Sequence, residues 1–442
     1  MTMTWSERQG TRIAVPPAPA GAFGTQARVA GAMPRHISVL GPLATADVSH
    51  LLGDRAATRP AGYAGAPILA TLVEGLLARG HRVTAITLSA GLPLRDDATV
   101  TVTHGALTVF YCPMRPKAWP PNGRLPGRIV DLYAFERRQL LAAIRQAQPD
   151  VVHAHWACEF AWAALRSGLP HLVTSHESPF TVARHYRGWK LGGYRWLRAM
   201  MAWHVLRHAR RVSTVSPYLV ERIQPLCRVP VDVVPNPVSE RLFALTRTVE
   251  PRRQRVLMVC NGWSAHKNPE PALRGFASMS QTLPDAELVL LGEDFGPEQS
   301  AARWWRSQAL PGRVHFVGAV PHATVLDWMS RSDVLLHPSL EESFGAVVAE
   351  SMAVGLPVLG GSRSGAVPWV VGEHGCLVDV TRANAIAAAL AELLADVPRR
   401  ERLAQAARIA TEQRFAAARV VEQYAAIYAQ LAGAVVPVAA GS

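Results

Sequence analysis

The chain has 442 residues, 49% of them hydrophobic, with 46 Lys and Arg against 33 Asp and Glu, a formal net charge of +13. That length predicts two domains, since single cores seldom grow past about 250–300 residues, and the charge predicts an anionic partner: a nucleotide ligand, an acidic membrane surface or nucleic acid. Nucleic acid is set aside, because no helix-turn-helix, zinc-finger or RNA-binding signature accompanies the charge.

The five cysteines (112, 158, 227, 260 and 376) are scattered and form no C-x-x-C pair. This argues against a disulfide framework or a zinc site and for a reducing cytosol. The first residues carry no apolar stretch of signal-peptide type, so none is expected. No run of about 18 apolar residues predicts a spanning helix, so any membrane contact is expected to be peripheral.

Residues 1–34 are rich in Ala, Gly, Pro and Arg without periodicity and read as a disordered arm. Order is expected from a buried strand, His36–Gly41. A long connection, 42–66, ends in Arg59-Pro60-Ala61-Gly62-Tyr63-Ala64-Gly65, and Pro67 opens a helix with Leu69, Leu72 and Leu76 on its core stripe. A connection this long in a compact domain is usually functional. Strands are expected at 82–87, from Leu107, at 149–155, 172–177, 212–216 and 231–234, with helices at 132–147, 160–165 and 218–224. Between Glu177 and Glu221 there is no acidic residue, while Arg184, Arg187, Lys190, Arg195, Arg198, Arg207, Arg210 and Arg211 interleave with Tyr186, Trp189, Tyr194, Trp196 and Trp203. Basic and aromatic residues together on a helix predict either an anionic-lipid surface over 184–211 or a solvated basic face over an apolar stripe. A linker is expected near 240–253. A second domain follows, with strands at 255–260, 286–291, 314–318, 334–336, 357–359 and 375–378. Helices are expected after Pro269, at 383–394 and at 400–413, and a tail helix at 416–431. Alternating strands and helices predict doubly wound parallel sheets.

The stretch 333–361, DVLLHPSLEESFGAVVAESMAVGLPVLGG, reads as strand, loop, helix, strand. Gly355 and Pro357 end its helix. Glu342 precedes that helix and Glu350 lies within it; the eight residues between them span roughly 12 Å. The free N–H groups at the helix start, near Phe344, Gly345 and Ala346, make an anion site. A carboxylate on either side accepts hydrogen bonds from hydroxyl pairs. The unit could therefore hold a sugar, a diphosphate and a ribose in one line.

Glu342-x7-Glu350, with Ser343-Phe344-Gly345 inside it, resembles the E-x7-E motif of the retaining glycosyltransferases of family 4, and HPSLEESFGAVVAESMAVGLPVLGG matches that family almost throughout. The resemblance covers nearly everything after residue 35. It implies an α/β fold of GT-B type: two Rossmann-like doubly wound parallel-sheet domains facing across a cleft. An acceptor domain is expected over 35–243, a nucleotide-sugar domain over 244–415, and a tail, 416–442, crossing back onto the first. The implied reaction is transfer of a hexosyl group, with retention, from a nucleotide-diphosphate sugar to a glycan or lipid-linked acceptor. No cofactor and no metal are implied. The expected setting is the cytoplasm, either free or peripherally attached to the inner face of the membrane.

Residue by residue, the resemblance gives Lys267 the diphosphate, together with the helix start at Phe344, Gly345 and Ala346. It gives Glu342 the sugar hydroxyls, Glu350 the ribose, and His176, in the Thr-x-His-Glu pattern of 174–177, the sugar or acceptor. The edge ending in Val320-Pro321 would hold the nucleobase through its backbone, and the loop with Gly65 would approach the diphosphate and acceptor. Three places depart from the pattern. Gly62 and Gly65 are separated where relatives have adjacent glycines, Trp263 stands where an arginine often completes the diphosphate clamp, and Trp369 replaces the usual glutamate. Two other functions fit the same residues: a nucleotide-sugar epimerase or hydrolase on this fold, and a non-catalytic scaffold. A dinucleotide oxidoreductase does not, because no G-x-G-x-x-G follows the first strand.

Overall fold

The computed structural model describes residues 35–53, 59–186, 188–248 and 254–433. The arm expected over 1–34, the last five residues of the expected linker, 249–253, and the tail beyond 433 lie outside them. Fourteen strands among the described residues form two sheets. The first contains β1 (His36–Leu40), β2 (Arg82–Ser89), β3 (Val100–His104), β4 (Leu107–Pro113), β5 (Val151–His155), β6 (His171–Ser175), β7 (Arg211–Thr214) and β8 (Val231–Val233), in the order β3-β4-β2-β1-β5-β6-β7-β8. All neighbours are parallel except β3 and β4. The second contains β9 (Arg255–Val259), β10 (Glu287–Leu291), β11 (Arg313–Gly318), β12 (Val334–His337), β13 (Val358–Gly361) and β14 (Cys376–Val378), in the order β11-β10-β9-β12-β13-β14, all parallel.

The central strands β1, β5 and β6 are buried along their whole length, as they must be when helices cover both faces. Ile37, Val39, Val83, Val151 and Leu172 are buried in one sheet, and Val256, Leu288, Leu335 and Leu359 in the other. Each sheet reverses its order once, between β1 and β5 and between β9 and β12. In open α/β sheets ligands bind beyond the strand ends at such a switch point. The loops after β9 and β12 carry Lys267 and Glu342, and His155 ends β5, so the expected site residues fall at these two points.

Several elements were not anticipated. Val100–His104 forms an antiparallel edge on β4, its Val/Thr alternation closed by Gly105 in the left-handed region. The expected loop before Pro67 holds a short helix, Ser49–Leu52. Helices Ser300–Ser307 and His322–Ser330 follow β10 and β11. The helix expected from Leu132 begins at Ala134, because Leu132 and Tyr133 both adopt positive φ, 53° and 63°.

The tail helix is present over Ala417–Gly433. It leaves the preceding helix, Val397–Phe415, at Ala416, where the Val238 N–H donates to the Phe415 carbonyl at 2.8 Å and the Ala417 N–H donates to the Val238 carbonyl at 2.9 Å. Val420, Tyr424 and Tyr428 are buried in the same core as Ile37, Val151 and Leu172, so the tail closes over the first sheet. Among the described residues no helix is long and apolar enough to cross a membrane.

Candidate active site

Asn268 organises the loop after β9. It takes the left-handed conformation (φ 54°), and its buried amide Nδ2 donates to the Pro338 carbonyl (3.1 Å) and the Val380 carbonyl (2.8 Å). This ties the β9 loop to the β12 loop and brings Lys267 Nζ to 2.7 Å from Glu342 Oε1. His337 Nε2 lies 3.5 Å from the same oxygen. Burial alone would raise the Glu342 carboxyl; His337 and Lys267 outweigh it and hold that carboxyl well below the usual carboxylate range. Burial acts against the Lys267 ammonium, and the Glu342 charge more than restores it. The residues expected to hold different parts of one ligand therefore form a charged pair. A hollow of about 190 Å³ adjoins the pair, lined by Asn261, Lys267, His337, Glu342, Gly345 and Ala346.

The helix Ala346–Val354 starts at this hollow. Gly345 precedes it with φ 85°, a conformation that favours glycine, so the chain turns without a side chain at the opening. Phe344 contributes only backbone. Its ring is buried edge-on to Phe415, 5.3 Å between centroids, and near Trp369. Trp369 packs on Phe415, and its carbonyl accepts from Arg414 at 2.8 Å, so the position of the usual glutamate is a packing contact here. Trp263 packs against Trp304 and Phe295, and its backbone N–H donates to Asp294 at 3.0 Å. It places no cation beside Lys267.

The loop carrying Glu342 is held from both sides. Tyr218 donates to Glu341 at 2.6 Å, His185 lies 2.9 Å from the same carboxylate, and the Ser216 hydroxyl donates to the Ser343 carbonyl at 2.6 Å. Beneath the loop, Gly365 has φ 61°, and a Cβ added there would lie 2.5 Å from the Glu342 carbonyl oxygen. Gly365→Ala is expected to displace Glu342 and cut turnover by about 10–100-fold, the order of loss that a misplacement near 1 Å produces. Gly80→Ala shares the positive φ with no neighbour within 4 Å and should cost stability alone; comparing kcat and Tm for the two variants checks this.

Glu350, eight residues on, bonds His322 Nε2 at 3.0 Å. That hydrogen bond raises the His322 pKa; burial opposes it and Asp47 adds to it. Burial in turn raises the Asp47 carboxyl. A residue of the first sheet's connections thus lies near the middle of the helix Ala346–Val354. His322 was missed from sequence, although it stands two residues after Val320, behind Pro321, at the β11 edge assigned to the nucleobase.

On the first sheet, His176 and His155 meet, Nε2 to Nδ1, at 2.9 Å, and the Trp156 ring stacks on His176 at 4.3 Å. Burial lowers the His176 pKa to about 3 and that of His155 well below its ordinary value. His153 continues the cluster, bonding Tyr428 of the tail at 2.6 Å and Thr174 at 2.7 Å. Beside His176 lies a pocket of about 210 Å³ lined by Tyr63, Trp156, Glu159, Glu177, Tyr194 and Arg198. The buried Glu159 pairs with Arg198 at 2.9 Å, and Arg198 also donates to the Tyr133 hydroxyl at 3.2 Å. Of the glycine loop, Tyr63 reaches this pocket, whereas Gly65 (φ 124°) has only open space where a side chain would be. Sequence reasoning did not single out Glu159 or Trp156; a glutamate just inside the helix after β5 and a tryptophan following Val-His-Ala-His were the available signals.

Two family models match the chain: Glycosyltransferase Family 4 over residues 67–242, and Glycosyl transferases group 1 over residues 246–410. The protein belongs to the family-4 glycosyltransferases, on the GT-B fold. Similar chains include the N-acetyl-alpha-D-glucosaminyl L-malate synthase of Bacillus anthracis, 25% identical over 81% of this chain and 91% of that one. The 2-deoxystreptamine N-acetyl-D-glucosaminyltransferase of Streptomyces fradiae is 30% identical over 54% and 63%. Among solved structures, the sucrose-phosphate synthase of Thermosynechococcus elongatus superposes with a TM-score of 0.69 at 20% identity, covering 91% of this chain and 100% of that one. HepE of Anabaena in complex with UDP and glucose gives 0.62 at 16%, covering 90% and 100%.

Proposed function

We propose that the protein transfers a hexosyl group, with retention, from a nucleoside-diphosphate sugar to a hydroxyl of a glycan or lipid-linked acceptor. The observation that carries this reading is the Lys267–Glu342 pair, 2.7 Å apart at the second sheet's switch point and beside a helix start. In this reading Lys267 and the first N–H groups of the helix at Gly345 and Ala346 take the diphosphate without a metal. Glu342 then turns to the sugar hydroxyls. Glu350, oriented by His322, takes the ribose, and the backbone at Val320 takes the base. The bond from the anomeric carbon to the phosphate oxygen breaks. The acceptor oxygen bonds to the same face of that carbon, and its proton passes to the departing phosphate. Preorganised charge on the leaving group is the main aid such a step needs. His176, neutral because it is buried, serves as a hydrogen-bonding group and not as a cation. The pocket walled by Glu159, Glu177, Tyr63 and Trp156 suits a polyhydroxylated acceptor, since carboxylates accept hydroxyl hydrogens and aromatic faces cover sugar rings. A hydrolase or epimerase has no need of such a pocket.

The test is a thermal-shift panel of UDP, GDP and ADP and their sugar conjugates, with and without EDTA. A ligand at a hundred times its Kd adds about 2.7 kcal/mol, which is readily seen. The expected outcome is a shift from one nucleotide class, with UDP first because HepE holds it, unchanged by EDTA. An anomer-retained product should form once an acceptor is supplied. Shifts from none of these ligands, or release of free sugar at the same rate without acceptor, would overturn the reading.

A further inference from the structure

The helix Trp189–His208 has one face turned to the core and one turned outward. Tyr194, Arg198, Met201 and Val205, spaced by four, three and four, turn inward; Met201 and Val205 are fully buried, and Tyr194 and Arg198 line the pocket beside His176. Trp196, Met200, Trp203 and Arg207 repeat the same spacing on the opposite side. Trp196 is 45% exposed, Met200 50% and Trp203 38%, and Leu191 in the first turn is 49% exposed. These are four of the seven large hydrophobic residues that stand exposed among the described residues. A cluster of this kind on one helix marks an interaction surface.

Its surroundings are basic. The Arg207 guanidinium lies 5.8 Å from the Trp203 ring centroid, and Arg184, Lys190 and Arg210 are exposed nearby in the chain. No acidic residue occurs between Glu177 and Glu221. Three half-exposed side chains offer a few hundred Å² at most, because a whole aromatic side chain buries about 150–250 Å². A stable protein partner needs about 800 Å² from each side. A lipid surface sets no such shape requirement. It takes Trp and Met at the interface and adds about 1 kcal/mol for each Lys or Arg near an anionic headgroup layer.

We propose that the Trp196–Met200–Trp203 face docks on an anionic lipid surface and so presents a lipid-borne acceptor to the pocket on the other side of the same helix. The second half of this statement rests on the transferase reading above; the docking itself does not. The test is co-sedimentation of the full chain with vesicles of phosphatidylcholine alone and with phosphatidylglycerol added. Pelleting is expected only with the anionic lipid and should weaken as salt rises. Trp196→Ser with Trp203→Ser should abolish it. Arg207→Gln with Arg210→Gln should weaken it by roughly fivefold per charge, which keeps the test open if the tryptophan variant folds poorly. UDP thermal shifts should be the same in all variants. Absence of those shifts in the unaltered chain, with its vesicle binding intact, would strike the donor reading and leave the docking standing. Equal recovery of the unaltered chain in the supernatant with both vesicle types would overturn the docking. So would self-association in solution that the tryptophan substitutions remove, since that would assign the face to a second copy of this chain.

Discussion

Glu342→Gln is expected to cut turnover by about 10²–10³-fold while leaving nucleoside-diphosphate binding equal or tighter. In the proposed transfer, the loss follows from removing one preorganised charged group beside the developing charge. The second half follows from the pairing. Glu342 lies 2.7 Å from Lys267 Nζ, so its carboxylate competes with a diphosphate for that ammonium. Glutamine keeps the shape and removes the competing charge. Lys267→Ala should do the opposite: nucleotide affinity falls, and stability falls too, because Glu342 keeps its charge in a largely buried place without its ammonium partner. Breaking a buried pair costs about 3–5 kcal/mol; here a value toward the lower end is expected, since both side chains retain about a fifth of their exposure. The double variant, Lys267→Ala with Glu342→Gln, should regain much of that stability without regaining activity. Isothermal titration with UDP, together with melting curves for the three variants, checks all of this. Weaker nucleotide binding by Glu342→Gln than by the unaltered chain would mean that Glu342 does not oppose the diphosphate, and the assignment would fall.

The same pair shows what was legible in the sequence. Both residues were singled out from local patterns, Lys267 in a strand-to-helix turn and Glu342 before a helix start. The fold was legible for the same reason: strand and helix periodicities are local, and the apolar runs at β9 and β12 declare strands buried on both faces. What the sequence did not show is how groups far apart along the chain meet. Lys267 and Glu342 are 75 residues apart, and no local pattern says that each is the other's counter-ion. Glu159 with Arg198, Tyr428 with His153, and Glu341 with Tyr218 and His185 belong to the same class. Trp369 fails differently. It departs from the family pattern, and only the packing with Phe344, Phe415 and Arg414 shows that an apolar contact replaces a charge. The late start of the helix at Ala134 depends on left-handed Leu132 and Tyr133, residue types that give no warning of that conformation.

Mild acid is expected to destabilise the protein well above the pH at which ordinary carboxylates titrate. His153 and His155, both buried in β5, and the half-buried His176 just beyond β6 lie against one another, bonded to neutral partners. Burial holds the first two well below their ordinary value and brings His176 to about 3. Burial lowers His36, His81 and His171 as well. In the unfolded chain each of these takes up a proton near pH 6.5. Between that value and the folded one the unfolded state binds more protons, so stability falls as the pH falls. Each histidine held neutral contributes somewhat more than about 1 kcal/mol per pH unit within the window. Three acting together remove several kcal/mol between pH 6.5 and 5, a large part of the 5–15 kcal/mol typical of a folded protein. His322 works in the other direction, because its hydrogen bond to Glu350 raises its pKa; that contribution is complete below pH 6.5 and fades as the pH rises through the folded value. One such residue offsets only a fraction of the loss. Melting temperature measured from pH 7.5 to pH 4.5 should therefore drop steeply below about 6.5, and His155→Asn, which keeps a polar partner for His176 without a proton to gain, should make the slope shallower. A melting temperature that stays level from pH 7 to pH 5 would show that these histidines take up protons in the folded chain. His176 would then carry positive charge at the acceptor side, and a step in which it acts only as a neutral hydrogen-bonding group would no longer stand.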